Sequence, residues 1–490
     1  MRFHIANPGK AMAILAGVLL AAFDASLPGQ DQADQIAVHQ RSARQAEARQ
    51  DFQSAITEYE LLTRLLPRNG ELQSNLGVAL YFHRNFEKAA SACRRAIALN
   101  RDLYAPHLFL GLARAQLSQP DAAAAELEKA VAINGEDPLA HTWLAYQYMA
   151  QSRYASAATQ LETAGSEQPA NQDVWYALGQ CYLELGKQAT TQLLAAAPDG
   201  GRAWQLAAEQ LEAQGNLDKA LNLYRGALLR RPDIEIVRTR ILALHGTLPD
   251  PGREASALVG QEDELYDRVS LFEEKARAAF ERVSQIDPDS YRAHQILGDA
   301  DAEADRFDDA IQEYRIVLER NPGLPGTHGA LCNAMSRLGQ IEEAAKECEA
   351  EIAAAPHAAA AYVEGARVYL LMRAEARAET LLNQALHLDR PPILLYKLLG
   401  KVDLAQKRYP EAIEALNKYL AVEVKDASAY YLLARACKFA GDTQGMDRAS
   451  GQYKKNSDFA GHASEAKKAL DTAHRNEVDS GEDAQKENKD

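Results

Sequence analysis

The sequence predicts an all-α fold of the solenoid kind, and three observations carry that expectation. Small residues recur every 34 positions, a second row of Leu-Gly or Leu-Ala pairs keeps the same phase, and prolines stand where units would close. Ala, the strongest helix former, is abundant throughout. With 47% hydrophobic and 25% charged residues, the 490-residue chain has an ordinary soluble composition rather than that of a disordered one. Its 54 Lys and Arg against 69 Asp and Glu leave a net charge of −15, which argues against a general nucleic-acid binder. Five Cys are too few, and odd in number, for a disulfide framework.

The N-terminus has a different grammar. Arg2 and Lys10 lie in a start without acidic residues, Ala11 to Phe23 is an unbroken run of apolar residues and Gly, and Asp24 to Gln32 turns polar. This is the order of a secretory signal. The run is too short for a comfortable membrane span, which needs about 20 residues. The small-residue cleavage pattern is weak, with Phe23 or Leu27 where a small residue belongs. Residues 1–29 are therefore expected to be a signal peptide or an uncleaved N-terminal anchor, with a buried first helix as the bland alternative. The corresponding location is export to the periplasm, free or anchored in the inner membrane and facing the periplasm.

From there the 34-residue phase takes over. Ala55, Ala89, Ala123 and Ala157 keep it, and Ala276, Ala310, Ala344, Ala378 and Ala412 resume it, with Met446 in the next slot. Leu76-Gly77, Leu110-Gly111, Leu144-Ala145, Leu178-Gly179, Leu297-Gly298, Leu399-Gly400 and Leu433-Ala434 mark the first half of each unit. Pro67, Pro169, Pro232, Pro288, Pro322 and Pro356 close units, since Pro lacks the N–H that would continue a helix. Positions 4, 7, 8 and 11 of a unit lie on one face of a first helix, and positions 20, 24 and 27 on one face of a second. Small residues at 8, 20 and 27 let the two approach closely. One such hairpin cannot bury its apolar face alone, so neighbours must stack.

This pattern resembles the tetratricopeptide repeat (TPR) family. The unit at 201–234, with Trp204, Ala208, Leu211, Ala220, Tyr224, Ala227 and Pro232, fits it best, and the unit at 138–171 fits well. The resemblance runs from about residue 36 to 460 and implies a TPR superhelix of about twelve helix hairpins. Two departures divide it. The unit at 172–200 has a regular first half but a second helix that reads as truncated, and the step from Ala220 to Ala276 is too long by 22 residues. Gly246-Thr-Leu-Pro249-Asp-Pro251-Gly252 in that stretch is a loop signal. The expected organisation is an N-terminal arm at 36–234, an irregular joint at 235–256, a C-terminal arm at 257–460, and a charged tail at 461–490 that lacks aromatics and reads as disordered.

No catalytic motif emerges. His39, His107, His141, His294 and His328 all occupy position 4, so the repeat explains their spacing and packing is the expected role. Asp299, Asp301, Glu303 and Asp305 look superficially like a calcium loop, but Ala304 stands where the turn Gly belongs and Ala310 where the bidentate Glu belongs. No phosphate-binding Gly loop or nucleophile elbow appears, and no metal or cofactor is expected. Cys332 at position 8 and Cys348 at position 24 lie nearly opposite in one hairpin. Two small buried thiols are the default reading; an oxidising compartment could instead close a disulfide between them.

The site, by resemblance to the family, is the groove lined by positions 2, 5, 9 and 12 of the first helices. In the N-terminal arm this lining includes Val78, Tyr81, Leu108, Leu112, Tyr146, Met149, Tyr176 and Leu183, suited to an extended or helical peptide, unless these side chains merely fill gaps between hairpins. In the C-terminal arm position 9 reads Asn333, Arg367, Lys401 and Arg435, with Lys397 and Lys438 nearby. The carboxylate clamp of the family's chaperone-binding members is incomplete, because Leu432 stands where it needs a base. Acidic peptide segments or the C-termini of other proteins are the natural ligands of such a row, unless each head pairs with a neighbouring carboxylate such as Glu364 or Asp403. The functional expectation is a non-enzymatic scaffold that binds other proteins in the cell envelope, with no nucleic acid, and with membrane contact only through an uncleaved N-terminus. An accessory subunit presenting substrates to a separate enzyme, or a structural part of an envelope assembly, are the alternatives.

Overall fold

The computed structural model describes residues 30–456 apart from 198, 214, 250–258 and 389–390. The expected signal at 1–29 and tail at 461–490 lie outside the described residues. Among these, all regular structure is helical. Four hairpins come first: α1 (Gln30–Ala48) with α2 (Phe52–Leu65), α3 (Gly70–Phe82) with α4 (Phe86–Leu99), α5 (Tyr104–Gln116) with α6 (Pro120–Ile133), and α7 (Pro138–Ala150) with α8 (Tyr154–Glu167). Then come α9 (Gln172–Ala196), α10 (Gly201–Ala213), α11 (Leu217–Arg230), α12 (Glu235–Ala243), α13 (Val259–Ile286), α14 (Tyr291–Glu303) and α15 (Phe307–Arg320). The last hairpins pair α16 (Thr327–Arg337) with α17 (Ile341–Ala354), α18 (Ala359–Leu371) with α19 (Glu375–Leu386), and α20 (Leu394–Ala405) with α21 (Tyr409–Leu420). α22 (Ala427–Ala440) and α23 (443–456) follow.

The repeat phase has a physical cause at each of its marks. Where position 8 is Gly, the helices come too close for a larger residue: a Cβ on Gly111 would stand 2.6 Å from Leu127 Cγ, and one on Gly400 2.6 Å from Leu416 Cγ. The turn between the two helices uses one residue of left-handed backbone. Gln50, Arg84, Ser118 and Ser152, then Asp305, Gly339, Arg373, Lys407 and Gly441, have φ between +56° and +81° at 34-residue intervals within each run. Helix starts are capped by Asp51, Asn69, Asn85, Asn171 and Asp426, whose side chains accept from backbone N–H groups of the first turn.

The 172–200 unit is not a truncated hairpin. α9 runs unbroken for 25 residues, and the second helix of its hairpin is α13, which arrives only at residue 259. Gly179 at position 8 faces Phe280, where a Cβ would stand 2.4 Å from the ring. Tyr182 stacks on Phe272, and the Gln172 side-chain amide donates to the Val283 and Asp287 carbonyls. Ala276 and Ala279 of α13 join the core that runs from Ile36 to Tyr182. Position 20 of this unit is therefore Ala276, displaced by the intervening segment.

That segment has its own core. α10, α11 and α12 enclose Ala208, Ala220, Tyr224, Ala227, Leu228, Ile234, Val237 and Ile241. The expected irregular joint at 235–256 thus begins as a helix, because Val237 and Ile241 pack on α11. The division of the molecule also differs from two successive arms. Among the described residues, one compact unit draws on 30–197, 259–300 and 313–324, and the other on 199–249, 301–312 and 325–456. In the second, α18 to α20 share one core, around Val363, Leu381, Leu382, Leu395 and Leu398, and α21 to α23 another, around Leu416, Tyr419, Leu433 and Cys437.

Candidate protein-binding groove

In the first unit the expected groove lining is not a surface. Val78, Tyr81, Leu108, Leu112 and Tyr146 are buried members of the continuous core, and Met149 and Leu183 pack against it. Leu108 and Leu112 are fully buried. The cause is the close approach of successive first helices, whose side chains interlock: the Tyr81 ring of α3 meets Phe109 of α5 edge-on at 5.4 Å. Tyr176 donates its hydroxyl to Asp299 at 2.9 Å and lies beside Phe280 and under the Arg292 guanidinium. Val78, Tyr81, Leu108, Leu112 and Tyr146 therefore fill gaps between hairpins instead of lining an open groove, whereas Met149, Tyr176 and Leu183 keep part of their surface exposed.

In the second unit the same positions stay reachable. First helices α16, α18, α20 and α22 touch each other in succession and make one inner face. Asn333, Lys401, Arg435 and Lys438 are exposed on it, while Arg367 and Lys397 are partly buried. Arg367 is held by Glu364 in an ion pair at 2.5 Å, and its Nη2 donates to Ser336 Oγ at 2.7 Å. Lys397 pairs with Asp426 at 2.5 Å and donates to Ser428 Oγ at 2.8 Å. Asp403 pairs with Arg408 rather than with Lys401. Arg435 lies over the Tyr431 ring at 5.7 Å, and Tyr431 is half exposed.

Lys401 has neither ion pair nor hydrogen bond to any described residue. Its ammonium sits below its ordinary pKa, through desolvation first and then repulsion from Lys397 and Arg367, against the pull of Asp426. Lys401 itself stays exposed to solvent. The structure therefore brings Arg367, Lys397 and Lys401 into one field. Arg435 and Lys438 lie on the next first helix without a carboxylate among the described residues.

The histidine row has a shared partner that sequence reasoning missed. His39, His107, His294 and His328 each bring Nδ1 to a carboxylate 19 residues on, at Glu58, Glu126, Glu313 and Glu347, at 2.6 or 2.7 Å. His141 meets Gln160 in the same geometry. Position 4 thus clamps position 23 across each hairpin, and the acceptor's recurrence at a spacing of 19 was visible in the sequence. In the Glu126 pair, burial pushes the carboxyl up, but hydrogen bonds from His107 and Lys129 bring it below its usual range. The acidic run is likewise engaged: Asp299 accepts from Tyr176 and Tyr314, and Asp301 pairs with Arg306. No group of three or more potential metal ligands occurs among the described residues.

Cys332 and Cys348 are joined in a disulfide, with Cα atoms 5.3 Å apart. They occupy positions 8 and 24, the pair filled by Gly111 and Leu127 in one other unit and by Gly400 and Leu416 in another. Cys93, Cys181 and Cys437 are free and buried. A second concavity, of about 560 Å³, lies between α10 and α12 and is lined by Gln205, Glu209, Glu212, Ile236 and Arg240 among others. Its Glu212 already takes Arg240 and the Tyr224 hydroxyl.

Fold and inner face define a helical repeat protein. Two family models, both described as tetratricopeptide repeat, match it: one at 41–104, 108–164, 274–325 and 397–439, the other at 148–189. The matched segments are tetratricopeptide repeats, and such repeats generally mediate protein–protein interaction. Similar solved structures include a thermophilic TPR protein of Thermus thermophilus, TTC0263 (16% identity over 55% of this chain and 100% of that one, TM-score 0.34). Pseudomonas aeruginosa pilF shows 18% identity over 41% of this chain and 90% of its own, with a TM-score of 0.34. MamA of Desulfovibrio magneticus RS-1 shows 17% over 31% and 85%, with a TM-score of 0.30. No curated protein matches this sequence.

Proposed function

We propose that the protein is a non-enzymatic scaffold that holds acidic peptide segments, or the C-termini of other proteins, on the inner face of α18, α20 and α22. The observation that carries this reading is Lys401: a cation without an ion pair, set beside Arg367 and Lys397, in a chain of net charge −15. An incoming carboxylate would relieve that repulsion, and Arg435 and Lys438 would extend the contact along one more first helix. The Tyr431 face, half exposed beside Arg435, would take an apolar side chain flanking the acids. Export belongs to the same proposal, resting on the basic start and apolar run of residues 1–29 and in keeping with the Cys332–Cys348 disulfide.

The test is partner capture with the wild-type protein and with an Arg367→Glu, Lys401→Glu, Arg435→Glu triple variant. The variant should lose the captured partner while keeping its helicity, and wild-type binding should weaken as salt is raised. Unchanged binding and salt response in the variant would move the site elsewhere. A reporter fused after residue 35, active only outside the cytoplasm, tests export separately; an inactive reporter contradicts it.

A further inference from the structure

The cationic face has a candidate occupant within the same polypeptide. Residues 477–490 carry six carboxylates, Glu477, Asp479, Glu482, Asp483, Glu487 and Asp490, against two lysines, Lys486 and Lys489. We infer that this segment docks on the Lys401 face of its own molecule and competes there with acidic peptides. The inference rests on the binding role proposed for that face.

Placement makes the contact reachable. The described residues end at Asn456, whose side-chain amide donates to the Val424 carbonyl at 3.1 Å. Val424 belongs to the turn between α21 and α22. Asp426, two residues on, holds Lys397 on the inner face at 2.5 Å. Lys401 lies one helical turn beyond Lys397, about 6 Å along α20. The described residues thus end beside the turn whose Asp426 holds Lys397. The twenty residues 457–476 can reach at most about 70 Å.

Charge decides which segment fits. The protein as a whole is acidic, so most of its surface repels residues 477–490. On the face of Arg367, Lys397 and Lys401 the first two cations are already paired, with Glu364 and Asp426, and Lys401 is the one left to take a further carboxylate. A tethered segment needs little intrinsic affinity. A short flexible tether gives an effective concentration on the order of 1 mM, so a segment that binds in trans at about 0.1 mM would block the face roughly tenfold. Raising salt would loosen it, and an incoming ligand would have to displace it. The tail and an acidic ligand would then compete for one face, and removing the tail would leave it to the ligand.

The experiment compares the full-length protein with one ending at residue 476, using a fluorescent peptide of residues 477–490 as the probe at low salt. The shortened protein should bind the probe about tenfold more tightly than the full-length one. In the shortened protein, Lys401→Glu with Arg435→Glu should abolish binding. A full-length variant with Glu477→Gln, Asp479→Asn, Glu482→Gln and Asp483→Asn should match the shortened protein, which separates charge from mere length. Equal affinity of full-length and shortened proteins overturns the docking and leaves the groove reading standing. Failure of the shortened protein to bind either this probe or an unrelated acidic peptide overturns both. Blockade that deepens with protein concentration places the tail in a neighbouring copy and overturns the contact within one molecule.

Discussion

Position 9 of the first helix tells two stories in one molecule. In α3, α5 and α7 it holds Val78, Leu112 and Tyr146, all buried. In α16, α18, α20 and α22 it holds Asn333, Arg367, Lys401 and Arg435, exposed or partly buried. The hairpin geometry is shared: a close approach at position 8, a left-handed turn residue every 34, and a His-to-acceptor clamp in several units of both regions. The same slot can therefore serve as mortar between hairpins or as a face turned to solvent. Apolar side chains at this slot make the inner face a second core. Charged ones cannot be buried without partners, so they keep it open.

The largest effect expected from breaking this comparison is at Leu112. Leu112→Ala should cost on the order of 2–5 kcal/mol, while Lys401→Ala at the same slot should change stability by less than about 0.5 kcal/mol. Denaturant melts of both variants check this, and equal effects would erase the distinction. Next comes the disulfide. Closing a loop of 16 residues is worth about 3 kcal/mol by chain entropy. Reduction should loosen α16 and α17 as read by hydrogen exchange and leave α3 to α8 unchanged, because solenoid stability is nearly nearest-neighbour.

Asp426 offers a smaller, pH-dependent effect. Burial raises its carboxyl, but Lys397, Ser428, Tyr419 and the Ala429 N–H together hold it well below the usual range. A depressed folded pKa means that the unfolded state takes up the proton more readily. Its stabilisation is thus complete above the unfolded value of about 4 and is lost as pH falls below that. Asp426→Asn should flatten this acid limb for α20 to α22, at a cost of about 1–2 kcal/mol at neutral pH. An acid limb unchanged by the substitution would show that other carboxylates set it. Smallest is the turn: Ser152 holds φ at +58°, so Ser152→Gly should stabilise by roughly 0.5–1 kcal/mol, seen as a small rise in Tm.

Most of the hairpin architecture was legible because a 34-residue phase repeats the same steric demands. Gly111 opposite Leu127 and Gly400 opposite Leu416 could be placed from spacing alone. The long hairpin could not. Gly186 falls 34 residues after Ser152, in the turn slot, and reads as a turn, yet α9 continues through it. Glycine permits the turn without requiring it, and here Gly186 packs near Phe272 of α13 instead. Only the distant match of Gly179 to Phe280 shows which helix completes the unit, and no local signal carries that. The candidate site was legible in residue type and not in exposure. Tyr81 and Lys401 both lie at inner-face positions, and packing between successive first helices decides which of them a ligand can reach.

The central claim is that the open face of the second unit, and not the filled face of the first, takes acidic ligands. Hydrogen exchange on the protein ending at residue 476, with and without a saturating acidic peptide, tests it most directly. The account predicts added protection in α18, α20 and α22, abolished by Lys401→Glu with Arg435→Glu, and none in α3, α5 and α7. Protection in α3, α5 and α7, or an unaltered footprint in the charge-reversed variant, would contradict it.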